Sequence, residues 1–181
     1  LERVGHLEQL IQRLQSEDPT TQKRAYESFL ELGRAGLVDS VASYVHHASF
    51  EVRALAARAA GELGAVRVAP LLASAMDDES WPVRAAIAEA LGRLRDDKSI
   101  STLVKRLTDP EEPVREAAAE ALTNYPPESL TAHVAAIAAA YDTGTVPVRL
   151  HVIILSARVL SEEVDPLLVR ASSDPSDVVR L

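Results

Sequence analysis

The chain repeats itself every 31 residues, and that period limits its fold more than any other property. In WPVRAAIAEALGRL, from Trp81 to Leu94, apolar residues fall at Val83, Ile87, Ala90, Leu91 and Leu94. These positions lie on one stripe of a helix with 3.6 residues per turn. One period earlier Val52, Ala56, Ala59, Ala60 and Leu63 fill the same slots, and one period later Val114, Ala118, Ala121 and Leu122 do so. An arginine follows each valine, as Arg53, Arg84 and Arg115. A unit this short cannot close a core by itself, so each must bury its stripe against its neighbours.

Within 181 residues, 19 Lys and Arg stand against 27 Asp and Glu, a net charge of −8. A phosphate backbone is repelled by such a balance unless the cations gather on one side, and here they are spread along the chain. There is no cysteine; disulfides and thiolate metal sites are excluded, and the compartment is left open. No apolar run approaches the roughly 20 residues that span a bilayer, and LERVGHLEQL lacks the order of a signal peptide. A soluble segment without membrane insertion is therefore expected. The chain starts at Leu1 without methionine and stops at Leu181, just after Val179-Arg180 reopens the pattern. It is read as a single solenoid, residues 1–181, cut from a longer protein.

Helical hairpins follow one another in order. The first helix runs from His6 to Gln15 and breaks at Asp18-Pro19; its partner spans Thr20 to Gly33, with Gly33 as a left-handed cap. Here Thr21-Gln22 replaces Val-Arg, as suits a terminal repeat. The second unit pairs Leu37–His47 with Glu51–Leu63, closed by Gly64. The third pairs Val68–Met76 with the founding helix, and the fourth pairs Ser99–Leu107 with Pro113–Asn124. In the fifth unit YPPES and YDTGTVP stretch the Val-Arg spacing to 34, at Val148-Arg149. Val164–Ala171 and Val179-Arg180 begin a sixth. An Asp stands five residues before the valine at Asp78, Asp109 and Asp174. It is placed to cap helix N–H groups and to receive the arginine of the adjacent unit. Arg53, Arg84, Arg115, Arg149 and Arg180 thus read as structural struts, because their spacing is that of the repeat.

DPEEPVREAAAEAL (Asp109–Leu122), VRALAARAAGELG (Val52–Gly64) and VRAAIAEALGRL closely resemble the short, E–Z type of HEAT repeat over nearly the whole chain. The period is shorter than the ~40–47 residues of ordinary HEAT and armadillo units, and tetratricopeptide and ankyrin signatures are missing. The resemblance implies an all-α, right-handed superhelix with A helices outside and B helices lining a concave face. Similar proteins serve mainly as protein-binding scaffolds; some relatives are phycobilin lyase subunits, and some related helical-repeat proteins are DNA glycosylases.

With the valine of Val-Arg as zero, the B-helix slots free for a ligand are −2, +2, +6 and +10. They hold Phe50, Ala54, Arg58 and Glu62, then Trp81, Ala85, Glu89 and Arg93, then Glu112, Glu116, Glu120 and Asn124, and lastly Val146, Leu150, Ile154 and Arg158. Phe50, Trp81 and Val146 share slot −2 and would form an apolar row on one edge of the concave face; alternatively Phe50 and Trp81 close the hairpin as a hydrophobic staple. Leu150 and Ile154 mark either a groove for a partner helix or burial under a further C-terminal segment. The Glu112, Glu116 and Glu120 row suits a basic peptide, but reads first as a solvated helix face.

No His pair has the i, i+4 spacing of a helical metal site, so neither metal nor cofactor is assigned. Phosphate loops, nucleophile elbows and catalytic cysteines are absent from the sequence. The concave slots hold about as many acids as bases, which argues against nucleic acid. The expected function is a non-enzymatic module that binds a protein or peptide at Phe50, Trp81, Leu150 and Ile154, with Arg58, Arg93 and Arg158 as polar neighbours. The alternatives are a lyase-like subunit holding a tetrapyrrole in the same groove, and an assembly or regulatory arm that docks on other parts of its own chain.

Overall fold

A computed structural model of the chain describes residues 2–159 and 165–180. Five helical hairpins follow in order, then the first helix of a sixth. They are α1 (Glu2–Leu14) with α2 (Pro19–Leu32), α3 (Val38–Ser43) with α4 (Phe50–Glu62), α5 (Ala69–Ser74) with α6 (Trp81–Leu94), and α7 (Ile100–Arg106) with α8 (Glu112–Thr123). In the fifth, α9 (Pro127–Leu130) and α10 (Val134–Ala139) precede α11 (Val146–Val159), and α12 (Asp165–Ala171) follows. The described residues contain no strand. Val164, expected to open the last helix, lies outside the described residues.

The B helices start where proline falls in the first turn, as at Pro82 and Pro113, where a missing N–H breaks no helical bond. The A helices α3, α5, α7 and α10 are shorter than the sequence suggests, six or seven residues. Flanking 3₁₀ turns at Tyr44–His46, Val66–Val68, Asp97–Ser99 and Thr131–His133 take up part of the rest, including the buried Val45 and Val68. The tighter winding turns the chain sharply between helices.

Gly33 does not cap α2 in the left-handed conformation. Its φ is −62°, and the left-handed turn comes at Gly36, φ 96°. Gly33 is a close-approach glycine, because a Cβ there would lie against the side-chain tip of Leu63, just past α4, and displace it. Gly64 does adopt the left-handed turn expected of it, at φ 65°. The equivalent residue one period later is Arg95, which bears the same conformation at φ 53°.

The slot-zero valines Val52, Val83, Val114 and Val148 are all fully buried. The core divides at α4. Val52, Ala56 and Ala59 join Leu10, Leu14, Ala25 and Phe29 of the first hairpin, while Ala54, Ala57 and Ala60 join the larger core that continues to Val179. Successive B helices approach very closely. A Cβ built on Gly61 would lie 2.8 Å from the Ala90 Cα, and one on Gly92 2.7 Å from the Ala121 Cα. The A helices instead present larger side chains such as Leu72, Leu103 and Ile137 to the core. A two-layer stack curves toward the layer with the closer spacing, which puts the B helices on the inner face.

Candidate functional site

Phe50, Trp81 and Val146 occupy the first residue of α4, α6 and α11, and all three keep large apolar side chains in solvent, at 43%, 44% and 38% exposure. In α8 the same slot holds the exposed Glu112. Further along the face, Ile154 is 43% exposed and Leu150 is half-buried, on a helix that buries Val148, Val152, Ile153 and Leu155. Arg58 and Arg93 are exposed. They lie near a polar contact across the first two B helices, in which the Tyr26 hydroxyl donates to Glu62 at 2.9 Å. Burial, and then that hydrogen bond, push the Tyr26 phenol up; the positive fields of Arg58 and Arg93 oppose this.

Arg158 is engaged differently from the other nominated residues. Its Nη1 donates to the Thr123 carbonyl at 2.8 Å and its Nη2 to that of Tyr125 at 2.9 Å. It therefore satisfies carbonyls at the end of α8, where Pro126 and Pro127 leave no amide to do so. The clue in the sequence was the loss of a capping glycine after α8 combined with an arginine one unit on. Between α6 and α8 lies an open cleft of about 280 Å³ lined by Glu89, Arg93, Ala117, Glu120, Ala121 and Asn124. With Glu112 and the half-buried Glu116, its carboxylates give the α8 side of the face an acidic character.

The turn edge carries the expected ion pairs. Arg53 donates Nε and Nη2 to Asp78 at 2.7 and 2.9 Å, Arg84 to Asp109 at 3.0 and 2.8 Å, and Arg149 to Asp174 at 2.8 and 2.9 Å. The Nη1 of each arginine turns back to carbonyls of its own turn, His47 and Ala48 for Arg53, Asp78 and Glu79 for Arg84. One guanidinium thus closes its own hairpin and fastens the next. The aspartates accept from turn amides two residues on, Ser80, Glu111 and Ser176, rather than from amides inside the helix. This is an Asx turn that sets the entry to the B helix. In the second unit His47 takes the same place, its Nδ1 accepting from the Ser49 amide at 3.1 Å.

Burial pushes the Asp109 carboxyl up, but hydrogen bonds from Arg84, the Glu111 amide and Arg106 outweigh it and hold it below the usual carboxylate range. Asp174 is held well below that range, chiefly by Arg149 and further by the Tyr141 hydroxyl, against the effect of burial. Sequence reasoning did not find Arg106, which also pairs with Asp77, or Tyr141, since neither belongs to the Val-Arg register. Among the described residues no His, Asp and Glu groups are arranged to hold a metal ion. Nor is any described helix long and apolar enough to cross a membrane.

Stacked two-helix units, each burying its apolar stripe on its neighbours, with a closely packed inner layer and a repeated ion pair, define an α-solenoid. The chain belongs to the HEAT-repeat family, whose profile matches residues 7–91, 38–123 and 70–158. No curated protein matches the sequence. An engineered protein of known crystal structure is similar with a TM-score of 0.68 and 21% identity, over 96% of this chain and 92% of that one. A designed armadillo repeat protein in complex with the peptide (KR)4 is similar at 0.63 and 19%, over 96% and 94%. The complex of CpcE and CpcF of phycocyanin lyase from Nostoc sp. PCC7120 is similar at 0.59 and 22%, over 96% and 72%. At these identities the likeness is one of fold.

Proposed function

We propose that the chain is a scaffold module that docks a segment of a partner protein along its B-helix face. The observation that carries this reading is the set of large apolar side chains left in solvent there, Phe50, Trp81, Val146 and Ile154. Helices that otherwise bury their apolar residues gain nothing by exposing these unless something covers them. Trp81 and Phe50 anchor one end of the segment, and Leu150 with Ile154 the other. Between them Glu89, Glu116 and Glu120 favour lysine or arginine, with Arg58 and Arg93 limiting where those cations sit. A designed neighbour of the same fold is in complex with a (KR)4 peptide, which supports a basic segment as a reasonable occupant.

Trp81 is the only tryptophan, so its emission reports on the face directly. Titration with a 14-residue peptide of alternating leucine and arginine should shift that emission to the blue, whereas the glutamate counterpart of the peptide should not. Ile154→Glu should weaken the complex tenfold or more. Equal affinity of the parent and Ile154→Glu for the basic peptide rejects the site; absence of binding by either peptide rejects the docking reading.

A further inference from the structure

We infer that the junction between the fourth and fifth hairpins is a hinge, pinned at Arg158 and released at Arg115, whose angle sets how far α11 stands from α8 across the groove. Two earlier junctions show what a closed joint requires. At each, a glycine nine residues past the slot-zero valine meets an alanine seven residues past the next one, Gly61 against Ala90 and Gly92 against Ala121. The next pair in register is Thr123 and Leu155, and residues of that size do not allow the same backbone approach. The second requirement is the arginine rung. In Arg53, Arg84 and Arg149 the Nε reaches an aspartate of the following unit.

Arg115 has no such rung. The place held by Asp78, Asp109 and Asp174 in other turns is held here by Thr143. Arg115 still closes its own turn onto the Asp109 and Pro110 carbonyls, but its Nε is buried without a partner, and so is the hydroxyl of Thr145, two residues past Thr143. Tyr141, in the slot of Met76 and Leu107, donates instead to Asp174, so the fifth turn is fastened forward to the sixth unit and not back to the fourth. At the other end of the same helix pair, Arg158 of α11 ties to the Thr123 and Tyr125 carbonyls. The junction is thus held at the C-terminal ends of α8 and α11 and unfastened at their N-terminal ends, where opening hydrates two polar atoms that are otherwise buried and unpaired. Residues 38–123 then move as one body and α11 as part of another.

The chain has no cysteine, so label pairs can be introduced without background. Ser43, Ser74, Lys105 and Ala139 are exposed and occupy equivalent positions on successive A helices. Spin labels at Ser43→Cys with Lys105→Cys span two closed junctions, and labels at Ser74→Cys with Ala139→Cys span one closed junction and the proposed hinge. Distance distributions by pulsed electron resonance should be at least twice as broad for the second pair, and Thr143→Asp, which supplies the missing carboxylate, should narrow it toward the first. Equal widths in the parent protein overturn the hinge. A broad second distribution that Thr143→Asp leaves unchanged overturns the missing rung as its cause.

Discussion

Arg84 and Asp109 show how one pair of side chains converts a sequence period into a stack. The arginine is 8% exposed and the aspartate 3%, and each of the two carboxylate oxygens accepts from the guanidinium. Removing one partner leaves the other buried and charged, a loss of about 3–5 kcal/mol in comparable pairs. Asp109→Ala should therefore lower stability by roughly that amount in urea or thermal unfolding, and Asp109→Asn by less, since the amide keeps one acceptor. Asp109 and Asp174 also make stability depend on pH. Both carboxyls titrate lower in the folded chain than in the unfolded one. Their contribution is complete above the unfolded value of about 4 and is lost as the pH falls below it toward the folded values. The melting temperature should be level through neutral pH and drop steeply below about pH 4; replacing both aspartates by asparagine should flatten that drop.

The B helix is the element on which the fold depends, and its glycines are chosen against helix propensity. Alanine is intrinsically better than glycine in a helix interior by roughly 1 kcal/mol. Yet a Cβ at Gly92 would lie 2.6 Å from the Ala121 Cβ and 2.7 Å from its Cα, and a backbone atom cannot rotate away. Gly92→Ala should destabilise by about 1–3 kcal/mol, as overpacking does, and a chemical denaturation curve will show the sign. Helix positions and the burial of slot zero were legible because a 3.6-residue pattern repeated at 31-residue spacing leaves few alternatives. The close approach at Gly33 was not, since the side chain it meets is that of Leu63, a unit away. The shortness of the A helices was also hidden: apolar spacing looks much the same in an α-helix and in the 3₁₀ turns beside it.

Across the whole molecule, the stack places residues of equal slot in rows, and the rows differ in what they expose. Ile154 lies in such a row and is 43% exposed, so Ile154→Glu should change unfolding free energy by no more than about 0.5 kcal/mol while weakening docking of the basic peptide. If instead the protein unfolds, the side chain belongs to the core. Binding of a basic segment to the acidic α8 side should weaken as salt rises from 50 to 500 mM, and the salt slope should fall in Glu116→Gln with Glu120→Gln; isothermal titration measures both. The linear pattern of valines, arginines and prolines was enough to establish the repeat and the hairpin order, because each follows from local periodicity and from the need of an incomplete unit to bury its stripe on a neighbour; it nominated the candidate face. It also named the aspartates that receive the arginines. Which of the face's cations is already spent on a helix end, which buried nitrogen is left without a partner, and how closely two helices pass were settled only in three dimensions. Those properties depend on atoms brought together from units 25 to 35 residues apart, and no local pattern encodes the distance between them.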